Sequence, residues 1–120
     1  MIVERSIYIS KFLDQGEDEY GNPIVKYDVP YSLNCVLNSL SGSYDIVAFG
    51  DRIKNMAKTF LDYDEWIGKI NEGDKAYLYG ALPDGEVVNG ENANYQIVSV
   101  LPQNLKIQIY FERLPVQKNV

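Results

Sequence analysis

The chain has 120 residues, 46% of them hydrophobic, and a formal net charge of −6 from 17 acidic and 11 basic side chains. That length suits one domain with a buried core, and no apolar run reaches the ~18 to 20 residues that cross a bilayer as a helix. A net negative field repels polyanions, which disfavours a nucleic-acid reader that neutralises phosphates, and the complete lack of histidine removes Ser-His-Asp and Cys-His arrangements and the commonest metal ligand.

Residues 5–13 alternate Ile7 and Ile9 with Ser6 and Ser10 and read as a strand. Residues 14–23, acidic and then turn-forming, break it. Residues 24–31 resume as an extended segment whose Pro30, without a ladder donor, marks an edge or a bulge. Leu33, Cys35 and Leu37 then alternate with Asn34 and Asn38 as a further strand. Residues 41–66 admit two readings: Ile53, Met56, Ala57, Phe60 and Leu61 fit a helical face, while Thr59-Phe60 fits a strand equally. Because Gly50 divides this stretch, the expectation is a short helix over 44–49 and a strand over 53–61, with one continuous helix as its rival.

Asn71-Glu72-Gly73-Asp74 is a turn signal leading into a strand over 75–79. Residues 80–94 (GALPDGEVVNGENAN) form a long polar surface loop. The chain closes with a hairpin of residues 95–101 and 105–113 around a turn at 102–104. Leu105, Ile107, Ile109 and Phe111 share its core face, and Lys106, Gln108, Tyr110 and Glu112 its solvent face. The fold class is therefore mainly β: a single domain, residues 1–120, built as a small antiparallel barrel or sandwich of about six strands with one short helix.

Chemistry is scarce. Cys35 lies in an apolar alternation and reads as a small buried hydrophobe rather than a nucleophile. The carboxylates sit mainly in turns, where solvated charge is the simple explanation. A calcium loop beginning at Asp14 fails at Gly16, Glu19 and Val25, and no glycine pattern matches a phosphate loop. Accordingly no catalytic, metal or cofactor residue is assigned and no enzyme is expected. Trp66 is either a lid on the sheet or an interface anchor, and the ten Tyr suit strand faces that meet other proteins. Met1-Ile2-Val3-Glu4-Arg5 does not open a signal peptide, so synthesis in the cytosol is expected.

Taken in order, several short signatures resemble the head-closure proteins of tailed bacteriophages, also called stopper or head-tail joining proteins. They are a strand followed by Asp18-Glu19-Tyr20-Gly21-Asn22-Pro23, the step Leu40-Ser41-Gly42 before a short helix, Gly50-Asp51-Arg52 before a strand, Gly73-Asp74-Lys75-Ala76-Tyr77, and Tyr95, Ile97 and Val100 in the terminal hairpin. The long loop 80–94 departs from the shortest members.

The resemblance implies a β-barrel in the virion neck, in a homo-oligomeric ring of six- or twelve-fold symmetry. A portal-adaptor protein would lie above and tail terminator or tail proteins below. Double-stranded DNA would pass without sequence-specific binding, and no membrane would be involved. The isolated chain is expected to be largely monomeric, with rings forming on the adaptor. Asp14, Glu17, Asp18, Glu19, Asp84, Glu86, Asn89 and Glu91 are the candidate channel or inter-ring residues, and Tyr20, Tyr44, Phe49, Trp66 and Tyr110 the candidate interface aromatics. A tail completion or terminator protein and a monomeric ligand-binding barrel are the alternatives.

Overall fold

The computed structural model describes residues 3–17, 19–86 and 88–115, and of Asp14, Gln15, Ile24 and Val25 the backbone. Its elements are β1 (Arg5–Ser10), β2 (Phe12–Glu17), β3 (Pro23–Tyr27), β4 (Tyr31–Cys35), β5 (Asn38–Ser39), α1 (Ser43–Phe49), a 3₁₀ segment (Gly50–Asn55), β6 (Met56–Asp62), α2 (Tyr63–Trp66), β7 (Lys75–Tyr77), β8 (Tyr95–Gln103) and β9 (Lys106–Arg113). Seven strands make one curled antiparallel sheet, a half-barrel in the order β4-β1-β7-β8-β9-β6-β5, and β2 and β3 form a separate ribbon. The mainly β class follows from the alternation described above.

The β8–β9 hairpin is the centre of the sheet. Ile107, Ile109 and Phe111 point into the main core with Ala57 and Leu61 of β6 and Ile7 and Ile9 of β1. Its turn is Asn104-Leu105, since Gln103 pairs with Lys106, and Asn104 takes the left-handed conformation (φ 57°) that Asn tolerates. Leu105 consequently sits in the turn, 79% exposed, and not on the core face. In β8 the register shifts between Ile97 and Ser99. The extra residue reverses the parity: Ile97 faces the main core before the bulge, and Val100 packs against that core after it.

The opposite face of β9 is covered in its middle, where solvent was expected, while Lys106 and Glu112 at its two ends remain at the surface. Tyr110 is fully buried and Gln108 nearly so, because α1 and the 3₁₀ segment lie over them. Tyr110, Leu40 and Met56 form a second small core with Phe49 and Ile53 packed on it. Gly50 makes this possible: at φ 56° it ends α1 and sends its N–H back to the Ile46 carbonyl. The expected helix-then-strand order holds and the continuous helix does not, but the strand begins at Met56 rather than at 53 because a 3₁₀ turn runs from Gly50 to Asn55.

Asp45, 2% exposed, ties α1 to the sheet. Its Oδ2 receives Lys58 Nζ at 2.8 Å and its Oδ1 the Tyr110 hydroxyl at 2.9 Å. Lys58 and Tyr110 are cross-strand partners, so both reach the same carboxylate. Burial pushes the Asp45 carboxyl up, but the Lys58 and Tyr110 bonds outweigh it and hold it below its ordinary 3.8. Burial and the same contact push the Tyr110 hydroxyl well above its ordinary value.

Two further boundaries differ from expectation. The first strand stops at Ser10, and a new one runs from Phe12 through Glu17 where a break was expected. Strand β7 ends at Tyr77, since Tyr79 and Gly80 take positive φ.

Asp45→Ala strands the Lys58 ammonium and the Tyr110 hydroxyl, and is expected to cost about 3 kcal/mol in urea unfolding, whereas Arg52→Ala at the exposed Arg52–Glu112 pair costs under about 1 kcal/mol. A folded carboxyl held below 3.8 contributes stability that is complete above 3.8 and is lost as pH falls through the folded value. The stability gap between wild type and Asp45→Asn therefore narrows below pH 3.8; a gap that stays constant down to pH 2 contradicts this role.

Candidate functional site

The β2–β3 ribbon leaves the main sheet at Lys11 as an arm. At its root, Asp74, 1% exposed, accepts the Phe12 N–H at 2.9 Å through one oxygen and the Asn71 N–H at 3.0 Å through the other. Burial raises the Asp74 carboxyl, and the two amide bonds offset this only in part. The Asp28 N–H donates to the Lys11 carbonyl, and the Ser10 hydroxyl to the Asp28 carbonyl, closing the other side. These bonds explain why β1 ends where it does: the backbone donor that would extend the ladder is turned onto a carboxylate.

Beside Asp74 lies Tyr31, whose buried hydroxyl has no hydrogen-bond partner among the described residues. Burial, with the nearby Asp74 charge, pushes it up to about 12. Its ring stacks on Trp66 at 6.1 Å, and Trp66 packs against the main core. Trp66 thus packs as a lid on the core, while its half-buried ring also lines the cleft between β4 and β6.

The 80–94 loop is held by side chains rather than by regular structure. Asn94 bonds both the N–H and the carbonyl of Leu78 at 2.9 Å, a paired contact equivalent to one rung of a sheet. The Tyr77 hydroxyl donates to Asn92 and receives the Gly90 N–H. Gly90 is required there on two counts: its φ is 83°, and a Cβ would lie 3.1 Å from the Tyr27 ring and 3.3 Å from Lys75 Cγ. Tyr27 belongs to β3, and its carbonyl also accepts from Asn89. Lys75 lies 5.8 Å from the centre of the same ring, and burial lowers its ammonium below the ordinary lysine value. The loop and the root of the arm therefore meet at Tyr27.

This contact joins the two segments named as channel candidates, although only Asn89 makes it directly. Glu17 and Glu19 are exposed on the arm, and Asp84, Glu86 and Glu91 on the loop. Asp84 and Glu91 are engaged locally, accepting the N–H groups of Glu86 and Val88. Asp18 and the Asp14 side chain lie outside the described residues. Of the candidate aromatics, Tyr20 on the arm's turn and Tyr44 on α1 are exposed. Tyr110 is internal, and Phe49, half-buried, packs on it with their ring centres 4.9 Å apart. Cys35 is buried, and burial pushes its thiol up, as its apolar alternation implies.

Two clefts remain. One, of about 470 Å³, lies between α1 and the hairpin, beside Asp45, Lys58, Gln108 and Tyr110. The other, of about 680 Å³, opens between β4 and β6 over Leu33, Cys35, Thr59 and Leu61. Among the described residues no group of three or more His, Cys, Asp or Glu side chains is placed to share a metal ion. Asp45, Asp74 and Lys58 were missed in the sequence; the only hint is that Asp45 stands in the first turn of a helix and Asp74 follows a turn glycine.

Comparison with known proteins finds no matching family model, no matching curated protein and no matching solved structure.

Gly90→Ala forces a side chain into the left-handed region and against Tyr27, a cost of about 1 to 2 kcal/mol. Amide exchange should accelerate at residues 88–94 and 23–28 while the β8–β9 hairpin keeps its protection. Uniform acceleration through the hairpin, or none in either segment, shows that Gly90 does not hold loop to arm.

Proposed function

We propose that the chain is a structural neck protein of a tailed-phage virion, a head-closure or stopper subunit that works as a ring and retains packaged DNA while offering the tail an attachment surface. The reading rests on the ordered signatures and where they fall. Of the first signature, Glu19-Tyr20-Gly21-Asn22 lies in the turn of the arm and Pro23 opens β3, Leu40-Ser41-Gly42 leads into α1, and Gly73-Asp74 supplies the carboxylate that fixes the arm's root. The observation that carries it is the junction of that arm with the 80–94 loop at Tyr27 and Gly90. Two exposed acidic segments are thereby held by one scaffold, and acidic surfaces repeated around a channel would let DNA slide without gripping it.

Such a protein needs no catalytic site, and the β-rich half-barrel is compatible with its role. A monomeric glycan or peptide binder would gather exposed tyrosines on one concave face. Here the three exposed tyrosines among the described residues, Tyr20, Tyr44 and Tyr79, stand on different elements, the turn of the arm, α1 and the turn after β7.

The test is deletion of the gene in its phage background followed by electron microscopy of the lysate. Filled heads that lose DNA and carry no tails are the expected result. Stable full heads beside overlong tails indicate a terminator instead, and normal infectious particles defeat both readings.

A further inference from the structure

We infer that copies of this chain associate head to tail by strand addition, the arm strand β3 of one copy pairing with the uncovered edge of β4 in the next. The contact deepens the ring reading proposed above, and rests on it only in taking a second copy as the occupant.

The receiving edge is unusual in being unguarded. Strand β4 ends the large sheet, and among the described residues β1 is its one strand partner. At the sheet's other end β5 covers just Ala57 and Lys58, so the outer edge of β6 from Thr59 to Asp62 has no partner strand among the described residues. Between these two edges lies the cleft of about 680 Å³, and its floor of Leu33, Cys35 and Leu61 is the main core itself. An uncovered edge is a template for another chain, and proteins usually protect it with Lys, other charges or Pro within the strand. Tyr31-Ser32-Leu33-Asn34-Cys35 contains none of these, and Pro30 stands just outside.

The donor lies elsewhere on the same chain. The β2–β3 ribbon is a two-stranded sheet of its own, a form marginal in water without a third strand. Each of its strands has one edge without a strand partner among the described residues; on β3 the Tyr27 carbonyl is taken by Asn89 and Pro23 lacks a donor, so residues 24–26 are the part it offers to a neighbour.

Charge selects the strand and the occupant. The cleft carries Glu4, Asp62 and Glu65 against one cation, Lys106, which is already bonded to Asp62 at 2.6 Å. Strand β2 brings Glu17 and is repelled, whereas β3 has a single charged residue, the exposed Lys26. Lys26 meeting the acidic rim gives the pairing its direction. Because donor and receptor are different patches, a pair leaves one of each open, and association continues until a ring closes.

The test uses the full chain with charge-reversed surfaces that leave both strands intact, Lys26→Glu on the arm and Glu4→Lys/Glu65→Lys at the cleft, each checked for an unchanged circular dichroism spectrum. In low salt, sedimentation of wild type at roughly 0.3 mM should show a mass above that of the monomer that grows with concentration, each variant alone should associate at least about tenfold more weakly, and their equal mixture should recover. Carbodiimide cross-links from Lys26 to Glu4 or Glu65 should join copies of different isotope label. A wild type that stays monomeric, a variant that associates like wild type, or a mixture that fails to recover each overturns the contact. Any of these combined with tailless, leaking heads on gene deletion removes strand addition and keeps the neck role; recovery with normal deletion particles does the reverse.

Discussion

Asp45 carries the constraint on which the two-faced sheet depends. Strand β9 has apolar or aromatic side chains on both sides, Ile109 and Phe111 toward the main core and Tyr110 away from it, so the outer face must be shielded from water. The shield is α1, only seven residues long and far below the length at which a helix persists unaided. A carboxylate bonded at once to Lys58 and Tyr110 fastens it to two neighbouring strands. Taking that charge out of water is costly, and the two charge-assisted bonds offset the cost only while both partners are present. The second core, the path through Gly50 and the start of β6 at Met56 all follow from where the helix is held.

A second buried carboxylate does related work at the other end of the molecule. Asp74 accepts backbone amides rather than side chains, and the amides it takes decide that β1 stops and the arm begins. The arm then meets the 80–94 loop through Tyr27, with Gly90 leaving space for the ring. Length and polarity alone describe that loop as slack surface chain. Yet Asn94 and Tyr77 bind it as firmly as a ladder would, so its acidic residues are presented from a defined base.

What was legible in the sequence was periodic. The hairpin of β8 and β9, the helix before Gly50 and the strand at Lys75 could be read because side-chain alternation reports the face a residue takes. The rest depends on pairing across distance. Strand β2 was missed because Asp14-Gln15-Gly16-Glu17 has no preference for extended structure and is a strand only because β3 lies beside it. The bulge at Val98 leaves no compositional mark. Tyr110 and Gln108 look solvent-facing until α1 covers them, which no local pattern announces. Of the candidate site, what was legible was exposure: the described carboxylates and Tyr20 and Tyr44 stand at the surface, while Tyr110 is internal and Phe49 and Trp66 are half-buried against the cores, contacts that no local pattern announces.

The scaffold therefore keeps its buried carboxylates Asp45 and Asp74 for holding elements in place and leaves its exposed acidic segments outward, which is compatible with the assembly role proposed above. The most direct measurement of that view is a cryo-electron microscopy map of intact particles carrying this chain. The account predicts density for its half-barrel repeated in a ring between the portal and the tail. A map in which the neck is fully built from other chains, with this one absent from the particle, contradicts it.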